Sequence, residues 1–395
     1  MKNNQIELLS QQVEEILTRG VENIIPNKKT LEEVLRSVKK LNIYLGIDVT
    51  TPKIHIGHGV PLRKLQQFIE LGHNVTLLFG DFTTKVGDTS DKESERPRLT
   101  DDEIAKNVAT YKQQAGKIVD LSKIKIRFNS EWLTKLGLAD VLSLFQHFSF
   151  NDFVSRELIK KRLETGSHIK LDEVIYPMMQ GYDSYFMDTG IQLGGTDQTF
   201  NMQAGRILQK DLRHKESFII ANGFLEGTDG RKMSKSWGNA IWIEDAPDEM
   251  FGKTMSLRDE LINQYFVLVT NLPLDKIPKV GHPMELKKRL AHQIVTELHS
   301  KKEADKAQEN FEKTIQAGEI PAEIPVFNLS SLQKDSTIID LLEKSKMVSS
   351  RGEGRRLIEQ GAVSLDGKVI ADLRFMIYEK PGTLKIGKRK WLKCN

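Results

Sequence analysis

Two short apolar runs that end beside glycine, separated by a segment of helix length, constrain this chain more than any other feature of its 395 residues. Leu41-Asn-Ile-Tyr-Leu-Gly-Ile47 runs into a loop, a helix is expected from about Gly57 to Leu71, and Asn74-Val-Thr-Leu-Leu-Phe79 leads to Gly80-Asp81. Strand, helix, strand in that order is a βαβ unit, which requires a parallel sheet covered on both faces. Further strands are expected at 124–128, 190–193 and 218–222, with helical stretches between them. Residues 1 to about 40 carry helical spacing (Ile6, Leu9, Val13, Ile16, then Leu31, Val34, Leu35), interrupted at Pro26-Asn27. The first 240 residues therefore read as a doubly wound α/β domain.

The chain exceeds the size at which one hydrophobic core stops growing, so more than one domain is expected. From about Ala246 to Ala317 the apolar spacing is helical throughout (Leu261, Ile262, Phe266; Leu290, Ile294, Leu298). Two prolines and no helical period mark the next stretch as a linker. Beyond it, Thr337 to Lys346 and Arg355 to Gln360 read as short helices, and Ala362 to Ile370 as two strands around an Asp-Gly turn. The expected division is 1–243 for the α/β domain, 244–318 for a helical subdomain, 319–334 for the linker and 335–395 for a small α+β module.

Composition narrows the class. With 39% hydrophobic and 28% charged residues, and no apolar run near the roughly 20 residues that span a bilayer, membrane insertion is not expected. The N-terminal segment lacks the apolar core of a signal peptide, and the expectation is a cytoplasmic protein. A single cysteine, Cys394, rules out an internal disulfide and a cysteine-based zinc site. The net charge of +4 is uneven: from Ser331 onward there are fourteen Lys and Arg against eight Asp and Glu, a net of +6, so the remainder carries −2. A basic tail on a neutral body fits either a module for a polyanion or a solubilising surface.

Two motifs bear on chemistry. His55-Ile-Gly-His58 follows the loop after the first strand, and Lys232-Met-Ser-Lys-Ser236 comes about 175 residues later. The first sets two imidazoles and a glycine at a helix start, where free N–H groups and the helix dipole favour phosphate. Alone it also fits helix capping or a metal pair. The second sets two lysines on a loop flanked by Gly227, Gly230 and Gly238, which suits a clamp for a triphosphate. Alone it also fits a solvated loop. Attack of a carboxylate on an α-phosphorus builds negative charge on oxygen, and the residues such a site needs are fixed cations and donors.

Together and in this order, the two motifs resemble the signatures of class I aminoacyl-tRNA synthetases, carried on a Rossmann-like domain. Three further segments resemble the amino-acid pocket of the tyrosyl-tRNA synthetases: Tyr44-Leu-Gly46-Ile-Asp48-Val-Thr50, Tyr176-Pro-Met-Met-Gln180-Gly-Tyr-Asp183 and Gly194-Gly195-Thr-Asp197-Gln198. The spacing of Tyr176, Gln180 and Asp183 turns all three toward one side of a helix.

The resemblance implies that Tyr44 and Asp183 bind the phenol hydroxyl of L-tyrosine, that Asp88, Tyr176 and Gln180 hold its ammonium group, and that Gln198 meets its carboxylate. It assigns Gly46, Asp48, Gly57 and His58 to the adenosine side of ATP, and Gly195 and Asp197 to the ribose. Thr50, His55, Lys232 and Lys235 would contact the phosphates, with Met233, Ser234 and Ser236 completing the loop. Magnesium is expected with the pyrophosphate and no protein metal site with it. The family more often has proline after the residue matching Asp88, where this chain has Thr89.

The tail, with Met347-Val-Ser-Ser-Arg-Gly-Glu-Gly-Arg-Arg-Leu-Ile358, resembles the S4-type RNA-binding module of many bacterial members, which implies tRNA(Tyr) as partner and Arg351, Arg355, Arg356, Lys388 and Arg389 as its contacts. A homodimer built through residues 148–153 is the family expectation. The competing readings are a tryptophanyl-tRNA synthetase, a non-catalytic RNA-binding protein on a synthetase body, and a nucleotidyltransferase acting on a small molecule.

Overall fold

The computed structural model describes residues 2–37, 39–88, 99–233, 237–313, 324–348, 350–378, 380–387 and 390–395, with side chains from residue 7 onward. They form two compact units, residues 1–246 with 253–299, and residues 247–252 with 300–395.

The first unit is built on a six-stranded sheet of β1 (Val21–Ile25), β2 (Asn42–Ile47), β3 (Asn74–Phe79), β4 (Lys125–Phe128), β5 (Ile191–Gly195) and β6 (Phe218–Asn222). The strand order is β1-β6-β5-β2-β3-β4. Every neighbouring pair is parallel except β1 with β6. The inner strands are the apolar runs read from the sequence, buried because helices cover both faces of a parallel sheet. β1 is a correction, since the spacing of residues 1–40 predicts only helix there. It buries a single side chain, Ile24, so it carries no strand pattern of its own and takes its conformation from β6.

From β2 the chain winds outward through β3 and β4, then returns to lay β5 and β6 on the other side of β2. Strand order reverses between β2 and β5, and ligands of open α/β sheets bind beyond the carboxyl ends of such a pair. Here those ends are Ile47 and Gly195.

Helices Leu171–Phe186 and Thr199–Arg213 approach closely behind this point. A Cβ on Gly181 would stand 3.0 Å from Ala204, so only glycine allows the spacing. Helix Gly59–Glu70, which follows the His55–His58 turn, is braced by two buried cations. Lys64 Nζ donates to the carbonyls of Ile16 and Arg19, each at 2.8 Å. The Arg19 guanidinium in turn donates to Val267 at 2.8 Å, Thr270 at 2.6 Å and Leu272 at 2.8 Å. These carbonyls lie in or just after the last turns of two helices, where no intrahelical donor reaches them.

The helical stretch expected as one subdomain is divided. Helix Pro283–Leu298 belongs to the first unit and helix Lys301–Phe311 to the second. The second unit carries a five-stranded sheet of β7 (Val326–Phe327), β8 (Val363–Leu365), β9 (Lys368–Val369), β10 (Gly382–Ile386) and β11 (Lys390–Cys394), in the order β7-β11-β10-β8-β9. Asp366 and Gly367 both have positive φ, 47° and 81°, as the tight hairpin requires. The described part of the expected linker departs from that reading: β7 pairs with β11, and Leu329 and Leu332 are buried in the unit's core. Its apolar residues find a partner distant in sequence, which no local period announces.

Candidate active site

Two adjoining cavities open at the switch point, with His58, Pro61 and Gly195 lining both. The narrower encloses about 220 Å³ and brings together Tyr44, Gly46, Asp48, Asp88, Gln180 and Gln198 with Tyr176 and Asp183. The wider encloses about 550 Å³ and is lined by Thr50, His55, Gly57, Asp197, Lys232 and Met233. Ser234, Lys235 and Ser236 lie outside the described residues.

Asp183 projects from helix Leu171–Phe186 into the narrower cavity and is 3% exposed. Each of its oxygens takes a hydrogen bond from a buried donor: Trp132 Nε1 at 2.7 Å on Oδ1 and Asn129 Nδ2 at 3.2 Å on Oδ2. Burial pushes its pKa up to about 8 in spite of those donors, and the charges of Asp48 and Asp81 push the same way. Tyr44 stands on β2 with its hydroxyl donating to Gln192 Oε1 at 3.3 Å. Burial, then the Asp183 charge, raise the phenol far above its ordinary range, so it is a neutral hydroxyl. The end of this cavity therefore offers a carboxyl group beside a hydroxyl, a pair that can both accept from and donate to a phenol.

Asp48, at the end of β2, accepts from the Tyr176 hydroxyl at 3.0 Å and from Thr83 Oγ1 at 2.8 Å. A Cβ on Gly80 would lie 2.2 Å from that carboxylate and 2.3 Å from Thr83 Oγ1, which explains the glycine after β3. Asp88 accepts from Gln198 Nε2 at 2.7 Å and from Asn201 Nδ2 at 3.4 Å. Carboxylates from three elements thus line one wall, a setting for an ammonium group.

In the wider cavity the rings of His55 and His58 lie 3.9 Å apart. The His55 backbone N–H donates to His58 Nδ1 at 3.3 Å, which leaves the hydrogen of the neutral ring on Nε2. Burial holds both imidazoles down, His58 to about 4 and His55 to about 2, with the neighbouring Lys232 lowering both further. At neutral pH they are uncharged N–H donors. Gly57 has its place because a Cβ there would lie 2.9 Å from His55 Nδ1. Among the described residues no group of three His, Cys, Asp or Glu is arranged to hold a metal ion.

In the second unit, Arg355 and Arg356 are exposed on helix Arg351–Glu359. Arg351 is a strut within that unit, donating to Asp340 Oδ1 at 2.6 Å and Glu343 Oε2 at 2.9 Å. Lys388 and Arg389 lie outside the described residues.

Residues 36–316 match the family of class I tRNA synthetases for tryptophan and tyrosine (W and Y), and residues 338–377 match the S4 domain. A tyrosine–tRNA ligase of Thermotoga maritima is 40% identical over 391 residues, spanning 96% of this chain and 96% of that protein. One of Carboxydothermus hydrogenoformans is 42% identical over 396 residues, again 96% of each.

The chain belongs to the tyrosine–tRNA ligase family.

The fold agrees with solved structures from the family. A C-terminally truncated mitochondrial tyrosyl-tRNA synthetase of Coccidioides posadasii superposes with a TM-score of 0.63 at 20% identity, over 78% of this chain and 95% of that one. The Archaeoglobus fulgidus tyrosyl-tRNA synthetase complexed with L-tyrosine gives 0.59 at 21% identity, over 76% and 99%.

Sequence reasoning did not find Asn129, Trp132, Gln192 or Asn201. Each is 2% exposed or less, and each holds a residue that the motifs did supply. One signal was available: Asn129 comes directly after β4, at the carboxyl end of a parallel strand, where such sheets place their site residues.

Proposed function

We propose that the chain activates L-tyrosine with ATP and transfers it to the 3′-terminal adenosine of tRNA(Tyr). The observation that carries this reading is Asp183, a buried carboxyl group fixed by Trp132 and Asn129 beside the Tyr44 hydroxyl. Phenylalanine would leave those groups unpaired, and the tyrosine enzymes are themselves the reference case for such rejection, at about 10⁵-fold. Asp88, Tyr176 and Gln180 hold the substrate ammonium group, with Gln198 near its carboxylate.

In the first step an oxygen of the tyrosine carboxylate bonds to the α-phosphorus of ATP, and the bond to the bridging oxygen breaks to release pyrophosphate. The carboxylate is already ionised at neutral pH, so no general base is required. Asp48, Gly57, His58, Gly195 and Asp197 seat the adenosine. Thr50, His55, Lys232 and Lys235 meet the phosphoryl charge, the neutral His55 imidazole as a donor and the lysines as cations. Magnesium would come with the nucleotide and would supply positive charge to its phosphates. In the second step a ribose hydroxyl of the RNA attacks the acyl carbon and AMP departs.

Exchange of labelled pyrophosphate into ATP across tyrosine, phenylalanine and tryptophan tests the reading. Exchange with tyrosine alone is the expected outcome. Exchange driven by tryptophan would overturn the pocket assignment, and no exchange at all would favour a non-catalytic RNA-binding protein.

The second unit, through Arg355 and Arg356, grips structured RNA by shape and phosphate. ATP and tRNA as substrates support a cytoplasmic location. A homodimer is supported by large apolar side chains left in water along one stretch: Leu138 is 76% exposed, Phe150 69% and Leu171 70%. Light scattering is expected to give about twice the 45.0 kDa chain mass, falling toward one chain in Leu138→Asp with Phe150→Asp. A single-chain mass for the unaltered protein would remove the dimer.

A further inference from the structure

The wider cavity has an aromatic rim that the activation step leaves unused. Trp237 is 51% exposed and Phe224 44%, and both line that cavity, whereas neither lines the narrower one. Single exposed apolar side chains need no explanation, but two aromatic ones exposed on the lining of the same cavity make a local apolar surface.

This indole is not loose. Asn239, 3% exposed, donates Nδ2 to Asp229 Oδ1 at 2.8 Å. Asp229 Oδ2 accepts from Arg231 Nε at 2.8 Å and Nη2 at 2.5 Å. The Arg231 guanidinium lies over the Trp237 ring, 4.6 Å from its centroid. A chain of fixed contacts thus runs from a buried amide to an exposed ring, with a cation supporting that ring. Lys53, exposed, and Lys232 lie on the same rim.

An ordered aromatic surface set among cations is the combination that binds single-stranded nucleic acid: a base stacks on the ring while phosphates meet the charges. We propose that Trp237, braced by Arg231 and Asp229, is the stacking platform for the unpaired 3′-terminal nucleotide of the RNA during acyl transfer. This rests on the ligase reading above. The nucleotide whose ribose attacks the acyl carbon must leave its own helical stack, and its base then needs a new partner. The acyl group forms where the two cavities meet, so an incoming RNA end reaches it through the wider cavity, past Trp237. The platform serves the second step: the residues assigned to the adenosine of ATP lie on the strand ends and the His55–His58 turn, which leaves Trp237 without an assigned nucleotide contact in the first.

The two half-reactions separate this inference from the one beneath it. In Trp237→Ala, tyrosine-dependent pyrophosphate exchange is expected to stay within about twofold of the unaltered protein. Single-turnover transfer from preformed tyrosyl-adenylate to tRNA(Tyr) should slow by about tenfold or more, the scale of one lost base–aromatic stack. Trp237→Phe should recover most of the transfer rate, which a merely structural role for the side chain would not predict. Unchanged transfer in Trp237→Ala, with exchange intact, overturns the platform alone. Equal loss of exchange and transfer overturns it in favour of a role with the ATP adenine, and failure of exchange in the unaltered protein removes both readings.

Discussion

Asp183→Asn is expected to lower kcat/KM for tyrosine by about 10³-fold while steepening nothing in the ATP dependence. The carboxylate accepts on both oxygens, from Trp132 and Asn129, and still has lone pairs for a substrate phenol. An amide of the same shape replaces one acceptor by an NH₂ group, so two of these partners meet poorer or opposing groups. A buried partner left unsatisfied costs about 1–3 kcal/mol, and two such losses reach roughly 10³ in the constant. The variant also has a readout without ligand. Burial raises the Asp183 pKa from 3.8 to about 8, so the folded protein binds a proton there that the unfolded chain releases. Stability is therefore lost as pH climbs through that window, and the asparagine, which does not ionise, escapes the loss. The melting temperature of the variant minus that of the unaltered protein should rise from about pH 4 to about pH 8. Parallel pH profiles would mean that Asp183 ionises as an ordinary carboxyl group.

His55→Ala is expected to reduce kcat for pyrophosphate exchange by about 10²–10³-fold, the loss seen when one preorganised donor to developing charge is removed. The KM for ATP should change little, since the interaction strengthens as charge builds on the phosphoryl oxygens and is weak in the ground state. Because burial already keeps His55 and His58 neutral, the unaltered enzyme should have no inflection near pH 6.5 arising from these rings. A variant with raised KM and unchanged kcat would show that His55 grips ATP itself.

The parts of the molecule that the sequence announced are those whose pattern is local. The apolar runs of β2, β3 and β6, the His55–His58 turn and the Tyr176, Gln180, Asp183 stripe each carry their information within a few residues, and the structure sets them where expected. What stayed hidden depends on partners far along the chain. β1 is a strand only because β6 lies beside it, and β7 only because of β11. Trp132 and Asn129 belong to no motif; their role appears once Asp183 is found between them. Sheet closure and the support of buried polar groups are tertiary facts, and single-residue propensities do not encode them.

Strand β1 also bears on how the protein is made. Within its sheet it is synthesised before the other strands, yet its register pairs Val21 with Asn222 on the strand of that sheet synthesised last. β2 and β3 can pair early, through a helix that lies between them in sequence, whereas the edge of the sheet stays open until β6 has been synthesised. Through that interval β6's future partner is an unpaired segment near the chain's beginning, and contacts so distant in sequence form slowly. The catalytic unit is thus completed late, and a nascent chain halted before residue 218 would carry the His55–His58 turn and the Tyr176, Gln180, Asp183 stripe without Lys232 and without the frame that holds them together.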